Sequence, residues 1–478
     1  MTLRLSPPVA YVASVAVDKG FSIISIPLLA AYLAPSSYGR LDVAISLIES
    51  VGLVMSFGMA DTLARFSSSA GSEAERKRCI SELLAAALVI TLTLGTLLQL
   101  SAPWLSDTFN ISVSLTALRW GLLGATLTAL IELPLIWFRL RGRAGLFLTI
   151  VGVRSAIQVV SMWLVLRAGF GADGILIANG LTMLVLSCAL TAWQLGETGL
   201  AVSMEVIHRI GRYGVPLVFA SLAMFALGSC NRLFLSGRVS DAEIAFLGLA
   251  TKLALAAPLL FQPFNLWWGA RRFNVLARPD GLNESAWAWG IGFSMLVMSA
   301  LGVCLAGPVF IALAFPQNYA GASIYLPFVV LVCVLNELNT LCNTGTYARE
   351  NGVGVLIANG CGALVAVGGY AALAPEFGVP GVLAATVMGH IVRLGIFLKS
   401  GHALAPIRYP FAAGAAVFAL AVMAIVFAPP ASAVTDRVVW SACAVVLVAA
   451  VILALRLVPM PRFLLTSRRG GLADGGAH

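Results

Sequence analysis

Charged residues are scarce in this sequence. Of its 478 residues, 11% are Asp, Glu, Lys or Arg and 60% are hydrophobic, whereas typical soluble proteins have about 25% and about 45–50%. So few charges cannot cover a soluble chain of this length while it hides that much apolar surface. The composition therefore excludes a soluble enzyme, a disordered protein and a nucleic-acid-binding domain. It favours a polytopic membrane protein.

Several functional signatures are missing as well. The eight cysteines form no CxxC pair, and the sequence has no GxxxxGK[ST] loop, catalytic triad or metal-ligand cluster. We therefore expect the cysteines to be packing residues, and we expect neither a cofactor nor a metal. Because the chain cannot hydrolyse ATP by itself, transport would depend on an ion gradient, the substrate gradient or removal on the far side.

Long apolar runs dominate instead. A helix needs about 20 mostly apolar residues to cross the hydrocarbon core, and fourteen runs reach that length. They are approximately 8–34, 42–66, 80–105, 113–138, 145–166, 173–194, 213–236, 243–269, 286–313, 321–346, 353–374, 378–398, 409–428 and 438–457. The connections between them are too short for a soluble domain. The sequence thus predicts an all-α protein with about 14 transmembrane helices.

The basic residues predict the orientation of these helices. With a cytoplasmic amino terminus, inner loops hold 18 of the 30 Lys and Arg residues, outer loops and helix ends hold 5, and the spans hold 7. Cationic loops are retained on the cytoplasmic side, which also accounts for much of the net charge of +9. We therefore expect both termini to be cytoplasmic.

An internal repeat relates the two halves of the chain. FGxxG motifs at 170–174 and 377–381 open spans 6 and 12, and Gly145 and Gly352, which open spans 5 and 11, have the same offset of 207 residues. Because six is even, both copies start on the same side, as in parallel-repeat transporters. The predicted divisions are an N-lobe (1–200), a C-lobe (201–404), two further spans (405–458) and a cytoplasmic tail (459–478).

Several short sequence segments resemble those of a known family. The turn Ala34–Gly39, the end of span 2 at Gly58–Phe66, the entry to span 7 at Arg212–Leu217 and both FGxxG openings are the matching segments. With these segments and its six-plus-six-plus-two helices, the chain resembles the Wzx-like polysaccharide-flippase branch of the multidrug/oligosaccharidyl-lipid/polysaccharide (MOP) exporter superfamily. The family often has Asp-Arg near the end of span 7, where this chain has Asn231-Arg232.

The resemblance implies a V-shaped, MATE-like fold and a function. The expected function is a flippase, not an enzyme, that moves an undecaprenyl-pyrophosphate-linked oligosaccharide across the bacterial inner membrane for O-antigen or exopolysaccharide biosynthesis. It would work by alternating access through a cationic central cleft. Expected partners are this lipid-linked substrate, a polysaccharide polymerase and the chain-length machinery, with no nucleic acid. A monomer is expected because two lobes already form one pathway.

Charges inside the spans are the candidate site residues. A charge at bilayer depth costs about 2.5–3.5 kcal/mol on insertion scales, so such side chains should avoid lipid. Lys19, Arg232, Lys252 and Arg154 are the candidate substrate-binding cations, because basic groups pair with phosphate oxygens. The resemblance places the first three on helices that line the cleft. Arg232 and Lys252 could instead extend to the membrane surface.

The acidic residues of the spans have a second set of candidate roles. Asp18, Glu49 and Glu337 are candidates for ion coupling or for counter-ions, and Glu132 occupies a place in the repeat similar to that of Glu337. The remaining pair, Asp61 and Arg65, lies four residues apart on one helix face, so it is an interfacial ion pair or a gate. Structural hydrogen bonding is the alternative for the carboxylates.

Three other functions stay open at this stage. A multidrug or cation antiporter of the same superfamily would favour twelve spans and an acidic or apolar cavity. A lipid II flippase would also have fourteen spans, but its arginine pattern is not recognisable here. A non-transporting component of a polysaccharide machine is disfavoured because lipid would select against buried charges.

Overall fold

The protein is helical in the part described by a computed structural model, residues 7–68, 71–203, 212, 214–348 and 353–458. Two short 3₁₀ segments, Gln317–Tyr319 and Thr346–Ala348, connect helices. The helices are α1 (Pro7–Tyr32), α2 (Pro35–Ser56), α3 (Met59–Ser68), α4 (Glu73–Thr108), α5 (Leu115–Thr126), α6 (Thr128–Leu140), α7 (Ala144–Arg167), α8 (Gly171–Thr198), α9 (Val215–Ala226), α10 (Asn231–Leu235), α11 (Asp241–Ala254), α12 (Ala256–Gly269), α13 (Arg272–Leu276), α14 (Gly281–Ala314), α15 (Ala322–Cys342), α16 (Val353–Leu404), α17 (Phe411–Val426) and α18 (Val434–Ala454).

Each of the fourteen predicted spans contains helix. Among the described residues, 10 helical segments are long and apolar enough to cross a membrane. One of them, α16, contains predicted spans 11 and 12, while α1 and the shorter apolar helices α9 and α17 correspond to spans 1, 7 and 13. The prediction of an all-α polytopic membrane protein is therefore confirmed.

Some predicted features lie outside the described residues. They are Gly352, which opens predicted span 11, the cytoplasmic tail 459–478, and the inner-loop residues Arg4, Arg209 and Arg349. The cytoplasmic placement of both termini stays a prediction.

Two compact units make up the chain. The first is Met1–Leu249, Ala314–Ala322 and Asn359–Gly389, and the second is Ala250–Leu313, Ser323–Ala358 and His390–His478. In the first unit α1 packs along α7, and α5 packs against α2 and α8. A core cluster between α3, α4 and α6 buries Leu63, Leu84, Leu133, Trp137 and Phe138. The predicted lobe boundaries at residues 200 and 404 stay a prediction.

The two FGxxG motifs contain equivalent left-handed glycines. Gly171 begins α8 with a φ of 58°, and Gly378 interrupts the helical run of α16 with a φ of 56°. Side chains with a Cβ rarely adopt this region, so glycine is required at both turns. The 207-residue sequence repeat thus corresponds to the same backbone feature in each copy.

A buried arginine attaches α18 to α14 in the second unit. Pro308, inside α14, has no backbone N–H, so the carbonyl of Cys304 loses its intrahelical donor. Arg437 donates from Nη2 to this carbonyl at 3.4 Å and from Nε to the Leu305 carbonyl at 2.9 Å. The residue lies in the first turn of α18, at a helix end as the topology predicts, but its side chain is buried. The N–H groups of its guanidinium therefore satisfy backbone carbonyls inside the protein.

We expect Arg437→Met to lower the free energy of unfolding by about 1–3 kcal/mol, the cost of leaving buried acceptors without donors. Thermal unfolding of the purified protein in detergent measures this change. Arg119→Met is the matched control, because Arg119 is exposed on α5. Equal stability of the two variants would contradict the role given to Arg437.

Candidate functional site

A buried ion pair joins α2 and α10 within the first unit. Arg232 Nε donates to Asp42 Oδ2, and only 5% of Arg232 and 6% of Asp42 is exposed. Arg232 Nη1 also approaches Asn231 Oδ1 at 3.5 Å. Two opposite charges removed from water require each other, since one alone would remain uncompensated.

A break between α9 and α10 positions Arg232. The backbone N–H of Cys230 bonds to the Phe225 carbonyl at 3.1 Å, which leaves the Ala226 carbonyl outside the α-helical pattern. Tyr370 Oη donates to that carbonyl at 2.9 Å. Tyr370 is fully buried and comes from a distant part of the sequence. Its hydroxyl therefore satisfies the carbonyl that the break leaves without a helical donor, just before α10 begins at Asn231.

A second carboxylate lies on the same helix as Asp42. Glu49 follows it by seven residues, which is about two helical turns, and its side chain is exposed. Its charge acts on Arg232 in addition to that of Asp42. The candidate cation Arg232 and the candidate coupling residue Glu49 thus belong to one electrostatic group.

Aromatic and polar contacts join distant segments of the first unit around Tyr38. Tyr319 Oη donates to the Leu33 carbonyl at 2.8 Å, and the Tyr38 and Tyr319 rings meet edge to face with centroids 6.1 Å apart. Burial raises the pKa of the Tyr319 phenol above its usual range, so the hydroxyl stays a donor. Residues from both halves of the sequence therefore contact each other where α1 turns into α2.

Two glycines allow the backbones to approach at this end. A Cβ at Gly39 would overlap the backbone carbonyl of Asp241, and a Cβ at Gly248 would lie 2.5 Å from Asp42 Oδ2. A half-exposed ion pair between Arg40 and Asp241, with Nε and Oδ2 3.6 Å apart, lies beside Gly39. The Tyr38-Gly39 of the predicted turn thus has a physical role, since tyrosine packs and glycine permits contact with α11.

We expect Gly248→Ala to displace the Asp42 carboxylate and to lower the free energy of unfolding by about 1–3 kcal/mol, as overpacking does. Gly302→Ala in α14 is the control, because a Cβ there has nothing within 4 Å. The control should leave stability unchanged or slightly raised. If Gly248→Ala shifts the unfolding temperature no more than the control does, then α11 leaves room for a Cβ next to Asp42 and the prediction is wrong.

The candidate cation Arg154 belongs to a different group in the first unit. It lies on α7, half-buried, and interacts electrostatically with Glu132 of α6. Asp61 of α3 also acts on Glu132. Both members of the candidate gate, Asp61 and Arg65, are exposed. The gate residues thus lie on the same short helix, and one of them shares an electrostatic group with Arg154.

The remaining candidates fall in the second unit or outside the description. Lys252 is half-buried on α11, and Glu337 is half-buried on α15, where its Oε1 accepts from Asn336 Nδ2 at 3.4 Å. Arg393, which is buried, donates to Asn336 Oδ1 at 3.0 Å and acts on Glu337. The side chains of Asp18 and Lys19 lie outside the described part of the chain.

Asp42 is the member of this candidate site that sequence reasoning missed. It stands at the first position of predicted span 2, where a charge is easily assigned to the membrane surface. Its seven-residue spacing from Glu49 was the available signal, because that spacing places both carboxylates on one helix face. The departure at Asn231-Arg232 was a second signal, since a buried arginine without a neighbouring aspartate needs a carboxylate from elsewhere.

Comparison by sequence gives no family: no family model matches the chain, and the curated proteins contain no match.

Comparison by structure identifies the fold. A solved structure described as "Lipid II flippase MurJ, inward closed conformation" matches with a TM-score of 0.73 and 12% identity, over 93% of this chain and 98% of that one. The chain has a MurJ-like fold. An "inward-facing conformation of a multidrug resistance MATE family transporter of the MOP superfamily" matches with a TM-score of 0.61 and 17% identity, over 82% of this chain and 97% of that one. The MATE multidrug transporter DinF-BH matches with a TM-score of 0.56, 16% identity and coverage of 82% and 93%.

Proposed function

We propose that the protein is a flippase that moves an undecaprenyl-pyrophosphate-linked oligosaccharide across the bacterial inner membrane for polysaccharide assembly. The observation that carries this proposal is the full-length likeness to the lipid II flippase, which covers more of the chain than the likeness to the multidrug transporters does. The charges inside the helices add support, because a phosphate-bearing headgroup suits buried cations.

The Asp42–Arg232 pair supplies the moving part of the mechanism. While the two residues are paired, the guanidinium is buried and neutralised, and we take this arrangement as the closed state of the end of the first unit at the α1–α2 turn. Opening that end would release Arg232 from Asp42, and a pyrophosphate oxygen pair could then accept the same planar donors. Exchange of carboxylate for phosphate would couple substrate binding to the change of access.

Other candidate residues act around this exchange. Lys19, Lys252 and Arg154 would add positive charge along the path, and Asp61 with Arg65 would form a gate near the other membrane surface. Once the Asp42–Arg232 pair separates, Glu49 would either pair with the Arg232 guanidinium or bind a proton. Glu337, next to Asn336 and Arg393, would serve the corresponding role in the second unit, and Asp18 would be a counter-ion of Lys19.

Ion coupling through these carboxylates has its own test. If Glu49 carries a coupling proton, collapsing the proton gradient should slow transport in vesicles about tenfold or more, and Glu49→Gln should be slow with or without the gradient. Glu376→Gln is the control, because that carboxylate lies beside the left-handed Gly378 turn. If the wild-type protein transports at the same rate with and without the proton gradient, then Glu49, Glu337 and Asp18 are not coupling sites.

Deletion of the gene in its bacterial host tests the proposal. We expect surface polysaccharide to disappear and the lipid-linked repeat unit to accumulate on the cytoplasmic leaflet, with recovery on expression of the wild-type chain. The expected partners, a polymerase and chain-length proteins, would then lack substrate. Intact polysaccharide together with increased sensitivity to cationic drugs would instead favour a multidrug antiporter.

A further inference from the structure

A surface pocket of about 440 Å³ lies in the second unit where α12 ends, α13 follows and α14 begins. Its polar lining comes from Arg271, Asn274, Arg278 and Glu284, and its exposed aromatic lining comes from Trp267 and Trp287. The candidate membrane span Asp241–Gly269 ends immediately before Arg271. A span that ends there would put the pocket at the boundary between hydrocarbon and water, and none of its lining residues belongs to the site described above.

The pocket has an excess of positive charge. Arg278 Nη1 lies 3.4 Å from Glu284 Oε2, in a pair that is 60% and 43% exposed. The Arg271 guanidinium stands over the Trp267 ring, 5.1 Å from its centroid. Within the described part of the chain, no carboxylate forms an ion pair with Arg271. The pocket thus has two guanidiniums and one carboxylate, and the face of Trp267 orients Arg271.

The tryptophans distinguish this pocket from an ordinary basic loop. Trp267 is 39% exposed and Trp287 is 45% exposed, although both rings are large and apolar. Indole rings at the end of a span favour the headgroup level of a bilayer, where one side meets acyl chains and the other meets water. Trp268 is buried behind Trp267, with ring centroids 6.1 Å apart, and supports it.

We propose that this pocket binds the phosphate headgroup of an anionic membrane phospholipid. Arg271 and Arg278 hold the phosphate oxygens, Asn274 contributes a neutral polar group, and Trp267 and Trp287 contact the glycerol and the first methylenes. Glu284 acts as an internal counter-ion that the lipid phosphate partly replaces. The proposal is independent of the flippase function, because it rests on the second unit alone.

A lipid fits these features better than a free phosphate ion does. Free phosphate would gain nothing from two exposed indole rings, whereas a phospholipid uses the charge and the apolar surface together. Basic pockets near the ends of membrane helices recognise anionic headgroups on this basis, with each nearby cation contributing to the attraction.

Native mass spectrometry of the full-length protein tests the proposal, with vesicles that contain equal amounts of phosphatidylglycerol and phosphatidylcholine. We expect the wild-type protein to retain phosphatidylglycerol preferentially, and Arg271→Gln/Arg278→Gln to lower that preference about fivefold or more. Arg76→Gln/Lys77→Gln is the matched control, since it removes two charges from a loop predicted to face the same side. Glu284→Gln should raise the preference, because it removes the competing carboxylate.

Tryptophan quenching tests the location of the lipid. Phosphatidylglycerol with brominated acyl chains should quench the wild-type protein more than brominated phosphatidylcholine does, and Trp267→Phe/Trp287→Phe should abolish the difference. Equal preference in the pocket and control variants would overturn the proposal. Displacement of the lipid by millimolar inorganic phosphate would also overturn it, because the pocket would then recognise a free anion.

Discussion

Asp42→Leu is expected to lower the free energy of unfolding by about 3–5 kcal/mol, because it leaves Arg232 charged and buried without the carboxylate that it contacts. The arginine is 5% exposed, so water cannot replace the lost carboxylate without opening the contact between α2 and α10. Thermal unfolding in detergent and membrane abundance should both report the loss.

Two further variants separate this effect from general damage to α2. Asp42→Leu/Arg232→Met removes both charges and should recover most of the lost stability, since an apolar pair of similar volume has no desolvation penalty. Asp241→Asn removes the carboxylate of the half-exposed pair with Arg40 and should change stability by about 1 kcal/mol or less. If the double variant is no more stable than Asp42→Leu, the pair is not what holds α2 and α10 together.

Arg232→Gln is expected to reduce transport of the lipid-linked substrate by about 10–100-fold, because one charge-assisted phosphate interaction amounts to about 1.5–3 kcal/mol. Arg232→Lys should recover part of the rate, since it keeps the charge and loses the planar fork. Transport is measured as substrate reaching the outer leaflet, normalised to protein in the membrane.

The same pair offers a way to distinguish stability from function. Asp42→Asn/Arg232→Gln should be abundant and stable, since neither residue is then a buried unpaired charge, yet it should transport as slowly as Arg232→Gln. Arg238→Gln is the control for loss of one exposed positive charge. Normal transport by the double variant would mean that Arg232 is only a structural partner of Asp42.

The helical content of the fold could be predicted because bilayer thickness fixes the length of apolar runs. The interruptions could not be predicted from those runs. The break before α10 depends on Tyr370, which lies 144 residues after the Ala226 whose carbonyl it binds. The FGxxG motif marked the start of predicted span 12, and the structure shows at that place a left-handed Gly378 that interrupts the helical run.

The candidate site was predictable in part for a similar reason. A charge in an apolar run is visible in the sequence, so Arg232 and Glu49 could be selected. Its partner is not visible, because Asp42 and Arg232 are 190 residues apart. The Asp-Arg of the family that the sequence resembles is Asn231-Arg232 in this chain, and Arg232 contacts a carboxylate on α2 instead.

Reconstituted transport is the most direct test of the proposed flippase. Purified full-length protein would be placed in vesicles with a fluorescent undecaprenyl-pyrophosphate-linked oligosaccharide on one leaflet, and a membrane-impermeant reductant would report its appearance on the other. We predict translocation by the wild-type protein, slow translocation by Arg232→Gln, and none of a neutral polyprenol-linked analogue that lacks the pyrophosphate. Wild-type vesicles that behave like protein-free vesicles, while the same vesicles take up a cationic dye, would contradict the account.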